Sequence, residues 1–364
     1  MLEEGKISGK QLQWLLIVVL ISTNILFLPS ITAKYAAQDS WLSIILAAVV
    51  GAIFIYFIVK LALRFPNQTI AGYSSLIVGK FFGKVITLFY ILVYLYVNII
   101  IVREFGEVLT SNFLIQTPME LVIALIIIIS ASAVRNGIEV ISRVNELILP
   151  TVILFLIIMF ILIIPEVDYS NLKPVLADGI FPVIKGTSSH MPIIGEMVVM
   201  LMILPAINCP KQAMGSVYKG LMISTILVLL TMIQILALFG TETSQLTLPV
   251  LGLIRYISLF GFIERIDALL VASWVGGGFI KITVFYYCMS VATAEFFNLK
   301  SYKSVVLPLG VIMLSLSIMI AFNVRVLINL AFERSISLYL AFLVLGIPIL
   351  LLLIAKIRGI RGEF

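Results

Sequence analysis

The sequence predicts an all-helical integral membrane protein with ten transmembrane helices. Two observations carry that prediction. The 364 residues are 62% hydrophobic and only 12% charged, whereas a soluble domain is about 45–50% apolar and about 25% charged. Such a chain has too few polar groups to cover a water-facing surface, so lipid must solvate most of it. The apolar residues also fall into runs of about 20, the length at which a helix crosses the hydrocarbon core.

The runs follow in order. The first covers residues 12–32. It is long for the apolar part of a signal peptide and lacks a small-residue cleavage site, so it reads as a span. Residues 41–63, 82–108, 119–135 and 145–165 complete a first group of five. Residues 189–207, 216–239, 266–297, 303–323 and 335–357 form a second. Short polar stretches such as Arg64-Phe65-Pro66-Asn67-Gln68 and Asn208-Cys209-Pro210-Lys211-Gln212 separate them. Two connections are longer, 166–188 and 240–265. The latter contains an apolar piece from Pro249 to Phe262, too short to span and suited to a surface or re-entrant helix. With a cytoplasmic N-terminus, 15 Lys and Arg fall on the inner side and 8 on the outer, with Lys281 inside a span. The positive-inside bias therefore places both termini in the cytoplasm.

Composition also removes function classes. Cys209, Cys288 and the single histidine, His190, have no zinc-ligand spacing. One disulfide is open on paper, but both cysteines lie in or beside apolar runs and read as small core residues. There is no Gly-rich phosphate loop, nucleophile elbow or His-Glu-x-x-His motif, so neither an enzyme nor a cofactor is expected. The net charge of +6 reports orientation, because no basic run with interleaved aromatics points to nucleic acid.

Functional candidates are polar residues where lipid forbids them. In the first run Ser22, Thr23 and Asn24 sit near mid-depth, followed by Ile25 and, further on, Pro29. Their side chains compete for backbone hydrogen bonds and proline removes a donor, so this helix is a candidate to unwind. A simple proline kink is the other reading. In the sixth run Gly195, Glu196 and Met197 put a carboxyl inside the bilayer, at a cost of about 2.5–3.5 kcal/mol for a charge at its centre. Either Glu196 faces a cavity or partner, or it is protonated and bonds a neighbouring helix. Leu28-Pro29-Ser30-Ile31 is echoed by Leu204-Pro205-Ala206-Ile207. Interrupted helices at matching places in two groups of five point to an inverted repeat, residues 12–165 and 189–357, with a site near the midplane. In the eighth run Gly276-Gly277-Gly278 allows close helix approach. Lys281 follows, either snorkelling outward or placed as a fixed cation that pairing with Glu196 would make less costly. In the third run Tyr90, Tyr94 and Asn98 share a helix face, and Tyr96 lies nearby. Arg103, Glu104 and Glu107 at its outer end read as a solvated cluster or a gate.

The residues around Ser22 and Asn24 resemble the Gly-x-Gly-Ile stretch of amino acid–polyamine–organocation permeases, with Ser22 and Asn24 in place of the glycines. Four further stretches resemble the spore germination permease family, the B subunits of nutrient germinant receptors. They are Arg64 to Thr69, Arg135 to Glu146 (with Asn136-Gly137), Gly195-Glu196, and Phe279-Ile280-Lys281-Ile282. The resemblance implies a LeuT-like fold with helices 1 and 6 broken, residence in the inner spore membrane, and A-type and C-type partner subunits. It also implies recognition of a small nutrient. Loss of the two glycines narrows the space for a ligand carboxylate against the backbone, so an amino acid and a sugar both stay open. The candidate ligand-binding set is Ser22, Thr23, Asn24, Ile25, Tyr94, Asn98, Gly195, Glu196 and Met197. Glu196 and Lys281 are the candidates for ion or proton coupling. A secondary transporter, proton-coupled or uniport, uses the same pocket and is the competing function.

Overall fold

The computed structural model describes residue 2 and residues 5–258, 266–321, 324–332 and 334–362. The end of the Pro249–Phe262 piece and Arg265 lie outside the described residues, as do the side chains of Arg325 and Arg334. The helices are α1 (Gly9–Ile21), α2 (Asn24–Ala36), α3 (Ser40–Arg64), α4 (Ile70–Val78), α5 (Lys80–Asn112), α6 (Met119–Arg135) and α7 (Ile138–Ile163). They continue as α8 (Phe181–Ser188), α9 (Met191–Glu196), α10 (Met200–Ile203), α11 (Pro210–Phe239) and α12 (Pro249–Ser258). The last four are α13 (Ile266–Phe296), α14 (Lys303–Met319), α15 (Val324–Phe332) and α16 (Arg334–Ile357). No strand forms among the described residues; a single parallel bridge joins Ile7 to Ile207.

Against the expected ten spans, six continuous helical stretches among the described residues are long and apolar enough to cross a membrane, and a seventh qualifies if α8 and the helix after it count as one bent span. The difference has a local cause. The first expected span is cut at Ser22-Thr23, so α1 has 13 residues, about 20 Å at 1.5 Å per residue, short of the roughly 30 Å core. The fourth and ninth expected spans, α6 and α14, have 17 residues each. The sixth begins earlier than hydropathy implies: α8 occupies the end of the polar 166–188 connection and meets Met191–Ala206 at 42°. Pro192, in the first turn of α9, has no N–H with which to continue the helix from α8.

Burial separates inner from outer helices. Leu12 and Leu15 to Ile21 of α1 are all buried, as are Ile280 to Ala292 of α13, as befits helices apolar on every side. α3, α6 and α7 each turn a stripe of apolar side chains outward, for example Ile45, Val49 and Ile53 on α3. In water that stripe would be a liability; in lipid it is the solvent-facing surface. α13 packs chiefly on α5 and α7, and its three glycines meet three different neighbours. A Cβ at Gly276 would stand 3.0 Å from Ile148, at Gly277 3.1 Å from Ser22, and at Gly278 3.3 Å from Phe105.

The turn stretches that carry the family resemblance have structural roles. Gly137 joins α6 to α7 with φ +91°, a region L side chains avoid. Arg64 donates to the carbonyls of Ala355 and Ile360 and, through its own carbonyl, accepts from Gly362, tying the C-terminal tail to the end of α3. Thr69 Oγ1 donates to the Glu295 carboxylate. Cys288 is buried as expected, while Cys209 is only half-buried beside the start of α11; both are free thiols.

The α4–α5 contact provides a stability prediction. A Cβ on Gly83 would stand 2.6 Å from Ser75 N, and that neighbour is backbone that cannot rotate away. Gly83→Ala is expected to destabilise the protein by about 1–3 kcal/mol, the usual range for overpacking. Thermal unfolding in detergent measures this, and an unchanged or higher melting temperature would refute the close contact.

Candidate functional site

The break in the first span is made by its own side chains. After Ile21 the α-helical hydrogen-bond pattern lapses for two residues, Ser22 and Thr23, whose backbone stays right-handed, and α2 resumes at Asn24. Asn24 Nδ2 donates to the carbonyl of Leu20, 3.1 Å away, occupying an acceptor of the α1 end. The Ser22 hydroxyl is buried without a partner. At the junction the C-terminal end of α1 carries partial negative charge and the N-terminal end of α2 partial positive charge.

A cation and an anion from distant parts of the chain meet at this junction. Lys281 of α13 is fully buried; it does not snorkel. Its Nζ lies 2.8 Å from Glu196 Oε1 and donates to Thr23 Oγ1 at 2.9 Å. The other carboxylate oxygen, Glu196 Oε2, accepts from Asn24 Nδ2 at 3.1 Å. Thr23, Asn24, Glu196 and Lys281 thus form one network joining the break, α9 and α13. Glu196 is the last residue of α9, and the chain tightens after it into a 3₁₀ turn, Met197–Val199. The backbone stays right-handed there, so the expected break at Gly195-Glu196 is a tightening, and the sharper bend lies earlier, at Ser189-His190. That bend is held to α2, where Thr32 Oγ1 lies 3.1 Å from both Ser189 Oγ and His190 Nε2.

A cavity opens beside this network, between the break, α5, α9 and α16. Counted as space open to the centre of a water molecule, it measures about 90 Å³, against the roughly 10–15 Å³ that one water requires. Of the predicted ligand set, Thr23, Asn24, Gly195 and Glu196 line it. Gly195 keeps its wall open, since a Cβ there would meet nothing nearer than Ala341 Cα at 4.0 Å. Ser22 and Ile25 instead face a smaller cavity against α7, and Met197 faces one shared with His190. Tyr94 and Asn98 are fully buried and turn into the packing, with Tyr94 Oη donating to Val198 O at 3.4 Å and Asn98 Nδ2 to Ile282 O at 3.3 Å.

The residues of α5 that do line the cavity include Val93, Val97, Ile100, Ile101 and Glu104. Their spacing of four, three, one and three is a helical stripe, rotated by one position from the Tyr90-Tyr94-Asn98 face. The expectation of a solvated cluster at Arg103 and Glu104 does not hold. Both are buried, because α5 runs on to Asn112 and α14 covers this level; Arg103 Nη1 donates to Ile318 O at 3.1 Å and Nη2 pairs with Glu107 at 3.1 Å.

Comparisons with known proteins bear on the family and the fold. A family model described as "Spore germination protein" matches residues 6–325. The chain is 31% identical to Spore germination protein KB of Bacillus subtilis (strain 168) over 88% of this chain and 87% of that protein. It is 28% identical to Spore germination protein YndE of the same organism over 99% and 98%. Among solved structures, MhsT in complex with L-phenylalanine aligns with a TM-score of 0.69 at 13% identity, covering 98% of this chain and all of that one. A manganese transporter of Eremococcus coleocola aligns at 0.67 and 13% identity, covering 96% and 81%. The fold is therefore the LeuT-like arrangement of membrane transporters, and the chain is a multi-pass membrane protein.

The network yields a stability prediction. Lys281→Met leaves Glu196 buried without its cation and is expected to cost about 3–5 kcal/mol. Lys281→Met with Glu196→Gln should recover much of that loss, because the uncompensated charge is gone. Thermal unfolding of the two single variants and the double variant measures the coupling. Additive losses would mean that the pair does not interact.

Proposed function

The chain belongs to the spore germination protein family of permeases, and from that membership we propose that it is the B-type membrane subunit of a nutrient germinant receptor. In this reading a small nutrient, an amino acid or a sugar, enters the cavity near the bilayer midplane and triggers germination. The observation that carries the reading is the placement of Asn24 and Glu196, which are at once cavity wall and members of the buried network. A ligand that touches them bears directly on the junction of α1, α2, α9 and α13. It acts by binding one of two arrangements of that junction more tightly than the other, and A-type and C-type subunits receive the shift. The two-repeat division at 12–165 and 189–357, the inner spore membrane and cytoplasmic termini belong to the same reading.

A second reading has its own support. The solved structures that share the fold include transporters, and a pocket beside a broken helix also serves alternating access. Here Glu196 would exchange a proton and Lys281 would act as a fixed cation. Family and fold are those of permeases, not of enzymes.

Both readings are open to test. Glu196→Gln preserves shape and an acceptor for Asn24; made together with Lys281→Met, it leaves no buried charge alone. In spores the double variant is expected to shift the nutrient dose–response curve about tenfold to higher concentration, equivalent to about 1.4 kcal/mol, with the protein still present by immunoblot. A normal curve would remove Glu196 from the site. Wild-type protein in proteoliposomes should bind the active nutrient without accumulating it; sustained accumulation of labelled solute would replace the sensor with a transporter.

A further inference from the structure

The helix that carries Glu196 has a second cavity behind it. This one lies between α1, α2, α3, α9 and α11 and, counted in the same way, measures about 60 Å³, several times what one water requires. Pro192, Gly195 and Glu196 line the larger cavity, Ile194 lines this one, and Ile193 lines both. α9 is therefore the partition between the two spaces. The gap exists because α3 presents Ala47 and Ala48 to it, side chains too short to fill it. One turn on, at Gly51, the gap has closed, since a Cβ there would stand 3.3 Å from Met197 Cε. At its inner end lies Leu20 of α1, the residue whose carbonyl accepts from Asn24 at the break.

The wall and the mouth together identify an occupant. Ser224 Oγ and Thr225 Oγ1 each donate to a carbonyl of their own helix, Gly220 O and Leu221 O, at 2.8 Å. His190 Nε2 lies 3.1 Å from Thr32 Oγ1. The rest of the described wall is alanine, aliphatic side chains and Met197. A gap of this kind is a poor site for water and gains dispersion contacts from an apolar guest. Its mouth opens between α3 and α11, which both belong to membrane-crossing stretches. Ala48, Leu221, Thr225 and Val228 are half-exposed there. Next to them Ile45 and Val49 of α3 and Met222 and Ile226 of α11 face outward. The opening is thus continuous with the surface that lipid already covers. We infer that this crevice holds one acyl chain of a bilayer phospholipid, inserted between α3 and α11 until it rests on Leu20 and Ile194. There it braces α9 from behind and touches the last turn of α1. The site is separate from the nutrient cavity and does not depend on what that cavity binds.

The test uses the full-length protein in nanodiscs of a phosphatidylglycerol whose acyl chain carries a photoreactive diazirine. Leu20 and Ile194 are each 5% exposed, and the crevice is the space they line, so only an inserted chain reaches them. After irradiation, peptide mass spectrometry should find label on both. Leu154 and Ile161 of α7, which face outward, report labelling by bulk lipid. Ala47→Leu fills the crevice and should abolish the label on Leu20 and Ile194 while leaving that on α7 unchanged. Thr225→Leu fills it from α11 and carries the test should the first variant fail to fold. Label confined to outward-facing residues overturns the assignment, as does label on Leu20 and Ile194 that survives in both filled variants. Label that appears in nanodiscs but is missing when the same lipid is supplied to the protein in its native membrane also overturns it, and gives the crevice to a neighbouring transmembrane helix.

Discussion

The ion pair between Lys281 and Glu196 is the constraint on which the rest of the interior depends. Neither charge is tolerable alone at this depth, since moving a single ion out of water costs several kcal/mol even after relaxation. Together, with Thr23 and Asn24 as further partners, they become a connected polar unit. Three segments far apart in sequence must then meet at one point: the α1–α2 junction, the end of α9 and the middle of α13. Asn24 illustrates the economy of the arrangement. One amide nitrogen donates both to Leu20 O and to the Glu196 carboxylate, so the group that opens the helix also anchors the anion. The break and the charges are thus mutually dependent. Thr23 and Asn24, at the interruption, are the residues that bond the two ions.

The same unit gives the cavity its two characters. Where the network surfaces at Asn24 and Glu196 the wall is polar and already internally bonded. Across from it α5 presents aliphatic side chains together with Tyr96 and Glu104. A solute occupying this space contacts a helix joint on one side and a long, regular helix on the other. That contrast suits either a sensor or a carrier, since both need a ligand to favour one arrangement of a bistable element over another.

The membrane class, the helical content and the polar interruption of the first span were legible because hydropathy and hydrogen-bonding side chains report directly on depth and local backbone. The pairing of Lys281 with Glu196 was visible as an energetic requirement, since two buried opposite charges lower each other's cost. Their separation of 85 positions concealed whether they meet. The α5 face was harder. Tyr90, Tyr94 and Asn98 stand out by chemistry, yet the cavity lies one residue round the helix, along Val93, Val97, Ile100, Ile101 and Glu104. The stripe has a helical period, but an aliphatic stripe looks the same whether it meets lipid, another helix or a ligand. Glu104 was read as solvated because hydropathy thins out near residue 108, whereas α5 extends to Asn112 and is covered by α14. The count of spans was obscured for a related reason, since composition does not register where a broken or bent helix divides its length.

The three glycines of α13 have a mechanical corollary. Successive residues of a helix point about 100° apart, so Gly276, Gly277 and Gly278 leave most of the circumference of α13 bare at one level, where α7, the break and α5 close in. Interlocked side chains act as a ratchet, since one helix passes another only if rotamers give way together. A bare collar has no teeth. At this level α13 is a smooth collar held closely by its neighbours, with the Lys281 contacts one turn further along. The tightness of this level is therefore set by what is missing, since any side chain added to the collar would have to displace α7, the break or α5.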